Sequence, residues 1–208
     1  GGVSSGDAFA TSCLPMRGGK GRQWEGGIRQ PFYIHVPNLT APGSTHAAPV
    51  TGTDFFPTIL DLAGLPLQPR QHIDGLSLVP LFKGGTIAKR DLFWHYPHYG
   101  NQGGEPSSII RSGDFKLIHY YEDGHDELYD LTKDIGEQTD LAASQPKTAK
   151  ALRTKLDAWL KETGARLPAA DDRFNAELKK RQIQGASTGG LKGLESRAAN
   201  YLKPDFKP

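Results

Sequence analysis

The chain of 208 residues has one cysteine, one methionine and no long apolar run. A lone Cys13 excludes an internal disulfide, so cysteine usage leaves the redox compartment open. No apolar stretch approaches the ~18 residues of a membrane span, so no membrane partner is expected. An excess of one charge is also missing: 25 basic residues stand against 23 acidic ones, a formal net charge of +2. That balance gives no bulk electrostatic ground for nucleic-acid or membrane-surface binding, and no nucleic-acid partner is expected. A starting Met and the basic-then-apolar pattern of a signal peptide are absent too. GGVSSGDAFATS leads at once into a dense motif, which predicts that the numbering begins mid-protein.

Glycine is abundant, with 25 residues, and a hydrophobic share of 37% is enough for a real core. Residues 1–31 read as loop. FYIHV, from Phe32 to Val36, is β-rich and bounded by prolines, which predicts a short strand. TGTDFFPTILDLAG predicts a helix. Asp54 is placed to cap it, Pro57 falls in the first turn, and Phe56, Ile59, Leu60 and Ala63 form one apolar face. Gly64 supplies the stop. LPLQPRQHIDGLSLVPLFKGG reads as an extended segment packed on the body. After Lys89 come four β-rich runs, LFWHY, SSIIR, FKLIHYYE and DELYDL. The last three are separated by SGD and EDGH, tight turn signals that predict an antiparallel meander. QPKTAKALRTKLDAWLKETG predicts a helix with Leu152, Leu156, Trp159 and Leu160 on one face, Lys147, Lys150, Lys155 and Lys161 on its wet face, and Gly164 at its end. From about Ala170 the tail is polar, a wrap or a partly disordered segment. The organisation expected is 1–88, 89–165 and a polar tail 166–208.

The chemistry concentrates in CLPMRGGKGRQWEGGIRQPF, Cys13 to Phe32. Gly18, Gly19 and Gly21 allow a sharp turn and a close approach to a ligand. Lys20 in that turn is a compact cation with three donors, suited to an oxyanion such as sulfate or phosphate. On the local string alone, the plainer reading is a solvated lysine. A P-loop is excluded, because G-x-x-x-x-G-K-S/T needs Gly at 14 and a hydroxyl at 21, where Leu14 and Gly21 stand. Glu25 and Arg29, four apart, read as a pair that locks the loop over Trp24.

Taken whole, R-G-G-K-G-x-x-W-E-G-G-I-R-x-P-F resembles a segment that formylglycine-dependent sulfatases, of the alkaline phosphatase superfamily, carry late in their large α/β domain. Five further stretches follow in the family's order: TDFFPTILDLAG, DGLSLVPLF, LFWHYPHY, IRSGDFKLI and ELYDLTKDIGEQTDLA. Collinear motifs over roughly residues 1–165 are far more specific than one short match. The resemblance is to the C-terminal portion of a bacterial arylsulfatase or sugar-sulfatase. It implies an α/β fold: the trailing part of the sulfatase α/β domain, followed by a small antiparallel sheet packed by one amphipathic helix. It implies a parent enzyme that hydrolyses sulfate esters, aryl or carbohydrate, and is exported to the periplasm or secreted.

In that family the lysine of G-G-K-G contacts the sulfate group, which carries catalysis and substrate binding onto Lys20. His98, in the loop past WHYP, is the second candidate for substrate contact, while His95 reads as a strand residue. The family nucleophile is a formylglycine made from Cys or Ser in C/S-x-P-x-R. Cys13-Leu14-Pro15-Met16-Arg17 fits the string but runs straight into G-G-K-G, with no helix-forming run behind it. Cys13 is therefore read as a small half-buried side chain. The resemblance also implies a divalent cation, usually Ca2+, held by oxygen ligands. Asp7 and Asp54 do not match that pattern, so no metal ligand is assigned. The Asp-Asn ligand pair and the nucleophile are expected upstream, in the N-terminal remainder of the same protein, and the chain alone is expected to be inactive. Two alternatives stay open: a phosphonate or phosphodiester hydrolase of the same superfamily, and a non-catalytic module that binds sulfated glycan.

Overall fold

The computed structural model describes residues 13–100, 102–190 and, beyond these, 192, 193, 196, 199, 200 and 203–205. The opening residues 1–12, with Asp7 and the expected upstream junction, lie outside the described residues. Two compact units emerge: 31–90 is one, and 13–30 joins the chain from 91 onward in the other.

The second unit is built on a four-stranded antiparallel sheet in chain order, β1 (Asp91–Tyr96), β2 (Ser107–Ser112), β3 (Phe115–Tyr120) and β4 (Asp126–Asp130). Each of the four β-rich runs expected after Lys89 became a strand, and all of them pair antiparallel. The period of two sorts the side chains onto two faces. Ile110, Leu117 and Leu128 point to one, Ile109, Ile118, Tyr120 and Tyr129 to the other.

Helix α4 (Pro146–Glu162) covers the first face. Pro146 opens it where no N–H is needed, and Leu152, Leu156 and Leu160 recur every four residues to form the buried stripe, with Ala149 beside it. Trp159 stacks on Phe93 at 4.8 Å between ring centroids. Gly164, at φ +61°, ends the helix, and the Ala165 amide donates to the Leu160 carbonyl at 2.9 Å. On the wet side Lys155 reaches Asp91 at 2.9 Å. The opposite face of the sheet is covered by the glycine-rich segment and its single helical turn, α1 (Glu25–Ile28), through Trp24 and Ile28. Among the described residues the polar tail carries α5 (Ala176–Gly185), with no buried residue, followed directly by a π-helical turn (Ala186–Gly190).

In the unit 31–90, a 3-10 turn (Gly52–Asp54) leads into α2 (Phe55–Leu62), and α3 (Val79–Phe82) follows later. Asp54 is wholly buried but does not cap α2. Its carboxylate takes both arms of Arg90, at 2.6 and 2.5 Å, and accepts the amides of Thr51 and Leu76 at 2.8 and 2.9 Å. A buried carboxylate needs this charged, fully bonded environment, which outweighs a role at the helix end. Thr58 continues the staple: its hydroxyl donates to the Asp54 carbonyl and accepts the Leu78 amide.

Three further expectations fail in this unit. Phe32 to Val36 forms no strand, since no neighbouring edge among the described residues takes its backbone groups, and Tyr33 is 92% exposed. On α2 the buried residues are Pro57 and Thr58, whereas Phe56 and Ile59 of the expected apolar face are exposed. The Leu/Pro-rich stretch is extended only in part, because Val79–Phe82 closes into the turn of α3 around Pro80.

Candidate functional site

Lys20 stands at the crest of a turn whose shape the glycines set. Gly18 and Gly21 have φ of +76° and +86°, the left-handed region that a side chain disfavours. The Arg22 amide closes the turn onto the Gly19 carbonyl at 3.0 Å. Gly26 and Gly27 then lay α1 directly against it. A Cβ on Gly26 would sit 2.5 Å from the carbonyl oxygens of both Arg17 and Gly18, and one on Gly27 would collide with the Arg22 carbonyl. The Lys20 side chain is exposed and makes no ion pair among the described residues.

The loop after His98 packs on the same turn. Arg22 donates to the Gly103 carbonyl, Gly104 lies against the Gly21 carbonyl, and a Cβ on Gly21 would meet Gln102 at 2.6 Å. The fold thus brings the Gly-Gly-Lys-Gly turn and residues 102–104 together, although Arg22 and Gly103 are 81 residues apart in the chain. His98 itself is exposed, edge-on to Tyr96 at 5.3 Å between centroids. Next to it, Tyr99 donates to Glu122 at 2.8 Å, and Lys179 of α5 pairs with the same carboxylate. His95 has both ring nitrogens engaged, with Ser108 Oγ at 2.6 Å and the Arg166 carbonyl at 3.0 Å, which is a strand residue's structural role.

Glu25 does not pair with Arg29, which is exposed. The Glu25 side chain is 4% exposed and turns into the sheet, where Lys116 Nζ lies 3.1 Å from Oε1 and Arg111 Nη1 3.8 Å from Oε2. Lys116 also stands 2.8 Å from Glu137 Oε1, an ion-pair contact out of line for a hydrogen bond. The buried cations drew Glu25 inward, where the ion pair is stronger than at a wet i, i+4 position. Burial pushes the Glu137 carboxyl above its ordinary range, and Lys116 opposes that shift.

Trp24 is the anchor expected of it. It packs on the second sheet face, its Nε1 donates to Glu127 at 3.3 Å, and the Arg17 guanidinium lies 3.8 Å from its ring centroid. Gln23 donates to the Tyr120 hydroxyl at 3.0 Å, which donates on to Glu127 at 2.8 Å. Burial raises the Tyr120 hydroxyl far above the usual phenol range; Gln23 opposes this and Glu127 adds to it, so Tyr120 remains a donor. Cys13 is half-buried and free, its carbonyl accepting the Met16 amide at 2.9 Å in a turn. The first helix after it, α1, starts at Glu25.

Sequence reasoning missed Lys116, Arg111 and Glu137. A signal existed for Lys116, which is in phase with Ile118 and Tyr120 on a buried strand face. Glu137 gave none, since it sits in a loop and its burial comes from chain 112 residues away.

A two-sided small sheet with α4 behind it and a glycine turn carrying an exposed lysine in front defines a class, the C-terminal regions of sulfatases. Residues 20–165 match the family model described as N-sulphoglucosamine sulphohydrolase, C-terminal, and the chain belongs to that family. A sulfatase of Formosa agariphila is 36% identical over 171 residues, covering 74% of this chain and 31% of that protein. Arylsulfatase A of Homo sapiens is 32% identical over 164 residues, covering 66% of this chain and 32% of its own length. The crystal structure of Ps i-CgsB aligns with a TM-score of 0.59 at 25% identity, over 72% of this chain and 32% of that one. The chain therefore spans about a third of the length of the relatives it matches.

Proposed function

We propose that this chain is the C-terminal part of an enzyme that hydrolyses sulfate esters, with Lys20 holding the anionic head of the ester. The observation that carries the reading is an exposed lysine, free of ion pairs among the described residues, on a turn whose backbone is locked by glycine contacts. A preorganised cation of this kind stabilises charge that grows as the S–O bond breaks, without reorganising at the moment of reaction. His98, in the segment leading to the loop that packs on the turn, contacts the aryl or sugar part. The names of the family model and of arylsulfatase A support a carbohydrate or aryl sulfate as substrate.

Family membership also suggests Ca2+ and a formylglycine nucleophile. Among the described residues no three His, Cys, Asp or Glu side chains converge, so the donor set for Ca2+ does not fit this stretch. Cys13, in a turn without a helix behind it, does not fit the nucleophile. In our reading both belong to the N-terminal remainder of the protein. Among the described residues no helix is long and apolar enough to cross a membrane; we place the enzyme in the periplasm or outside the cell on the family's habit.

The test is Lys20→Ala in the full-length protein. kcat/KM on an aryl or sugar sulfate should fall by about 10²–10³ with the denaturation midpoint unchanged. The 208-residue chain alone, supplied with Ca2+, should show no turnover in the same assay. A Lys20→Ala enzyme at wild-type rate would refute the reading, and turnover by the chain alone would refute the assignment of the nucleophile elsewhere.

A further inference from the structure

Two like charges face each other across the β2–β3 hairpin. Arg111 and Lys116 are direct cross-strand partners, and both reach toward the glycine-rich segment. Like charges in that position destabilise a sheet unless an anion lies between them. Glu25 is that anion, and Glu137 is a second one on Lys116. The side chains of Lys116 and Glu137 are 1% and 0% exposed. Burying ions this deeply costs about as much as their attraction returns, so such a cluster is poorly explained by stability alone; what it does define is geometry.

The geometry converges on Glu137. Its second carboxylate oxygen accepts the Glu25 amide at 2.5 Å, and its backbone carbonyl accepts Arg17 Nη1 at 3.1 Å. Its φ is +50°, a left-handed conformation that a residue with a side chain adopts only where its surroundings enforce it. One buried residue thus clasps the segment just before Gly18 and again at Glu25. Lys20 stands on the turn between the two clasps. The backbones of Gly26 and Gly27 press on that turn and leave it no slack.

We propose that Glu137, with Lys116 as its cation, is a positioning residue for Lys20, holding both ends of the turn so that the ammonium keeps one place. This rests on the reading of Lys20 as the cation for the ester's anionic head. Misplacing such a group by about 1 Å is enough to slow a reaction ~10²-fold without touching the reacting atoms.

The experiment is a mutant cycle in the full-length protein, with kcat, KM and the denaturation midpoint measured for Glu137→Gln, Lys20→Ala and the double variant. Glu137→Gln keeps the shape of the side chain and should lower kcat/KM about tenfold or more. If it acts through Lys20, the double variant should be no slower than Lys20→Ala alone, a coupling that a general loss of stability does not produce. Should Glu137→Gln not fold, Arg17→Lys, which loses the guanidinium at the other clasp, takes its place with the same expectation. Lys20→Ala at wild-type rate removes the reading of Lys20 and this inference together. With Lys20→Ala slow, a wild-type rate for Glu137→Gln, or losses that multiply in the double variant, overturn the positioning role and leave Lys20 where it is.

Discussion

Gly26 and Gly27 show what a single hydrogen in place of a methyl group decides. Their neighbours are carbonyl oxygens of the turn that carries Lys20, at distances no Cβ tolerates. Two of the turn's own glycines answer a different need, a positive φ. In the sequence all of them read alike, as permission to turn; only the packed structure separates backbone conformation from close approach. Gly27→Ala should therefore destabilise the sheet unit by about 2–4 kcal/mol, read as a drop in the urea midpoint followed by tryptophan fluorescence. An unchanged midpoint would mean that the turn gives way cheaply and is not the rigid support described above. The glycine turn was legible by its motif. The contacts that hold its ends were not, because Glu137 and Lys116 meet Glu25 only across about a hundred residues of chain.

At the scale of elements, period and packing agree in one unit and part company in the other. On α4 the leucine stripe meets Ile110, Leu117 and Leu128, and Leu156 is wholly buried. Leu156→Ala should cost about 2–5 kcal/mol, measurable by thermal or chemical denaturation; a loss under about 1 kcal/mol would place the core elsewhere. The apolar period of α2 is just as clear in the sequence, yet Phe56 and Ile59 are exposed. A period of 3.6 shows that a helix has an apolar side; it carries no information about what covers that side. FYIHV fails for a related reason. β-rich composition suits a strand, but a strand exists only where a second edge takes its hydrogen bonds. The last three runs after Lys89 succeeded because short turns hand each strand its partner within a few residues, as at Ser112–Phe115, and the first, β1, pairs with the edge of β2 across a longer connection.

At the scale of the molecule, apolar side chains are distributed unevenly. The sheet buries its own on two faces, under α4 and under the glycine-rich segment, while Leu14 and the tail's Leu167, Phe174, Leu178 and Ile183 stay exposed. The unit 31–90 leaves Phe55, Phe56, Ile59, Leu62 and Ile73 exposed. Exposed apolar side chains bind other apolar surface. The 208-residue chain on its own should therefore bind a fluorescent apolar dye and self-associate, and the double variant Phe56→Glu, Ile59→Lys should lessen both without lowering the denaturation midpoint. Equal dye binding by the double variant would place the sticky surface somewhere else.

What the sequence determined by itself was local and collinear: the four strands, with the short turns that join the last three, the leucine stripe of α4, and the string of motifs that marks a sulfatase's C-terminal region. These are legible because propensity, period and turn chemistry act over a few residues. What only the tertiary structure decided was the company each residue keeps. It moved Glu25 from Arg29 to Lys116, moved Asp54 from a helix cap to Arg90, and laid the glycine-rich segment over the sheet's second face. The third is apolar packing through Trp24 and Ile28; the first two share one physical reason. A buried charge takes the partner that the folded chain brings within about 3 Å, since water is no longer there to compete, and sequence distance has no bearing on that choice.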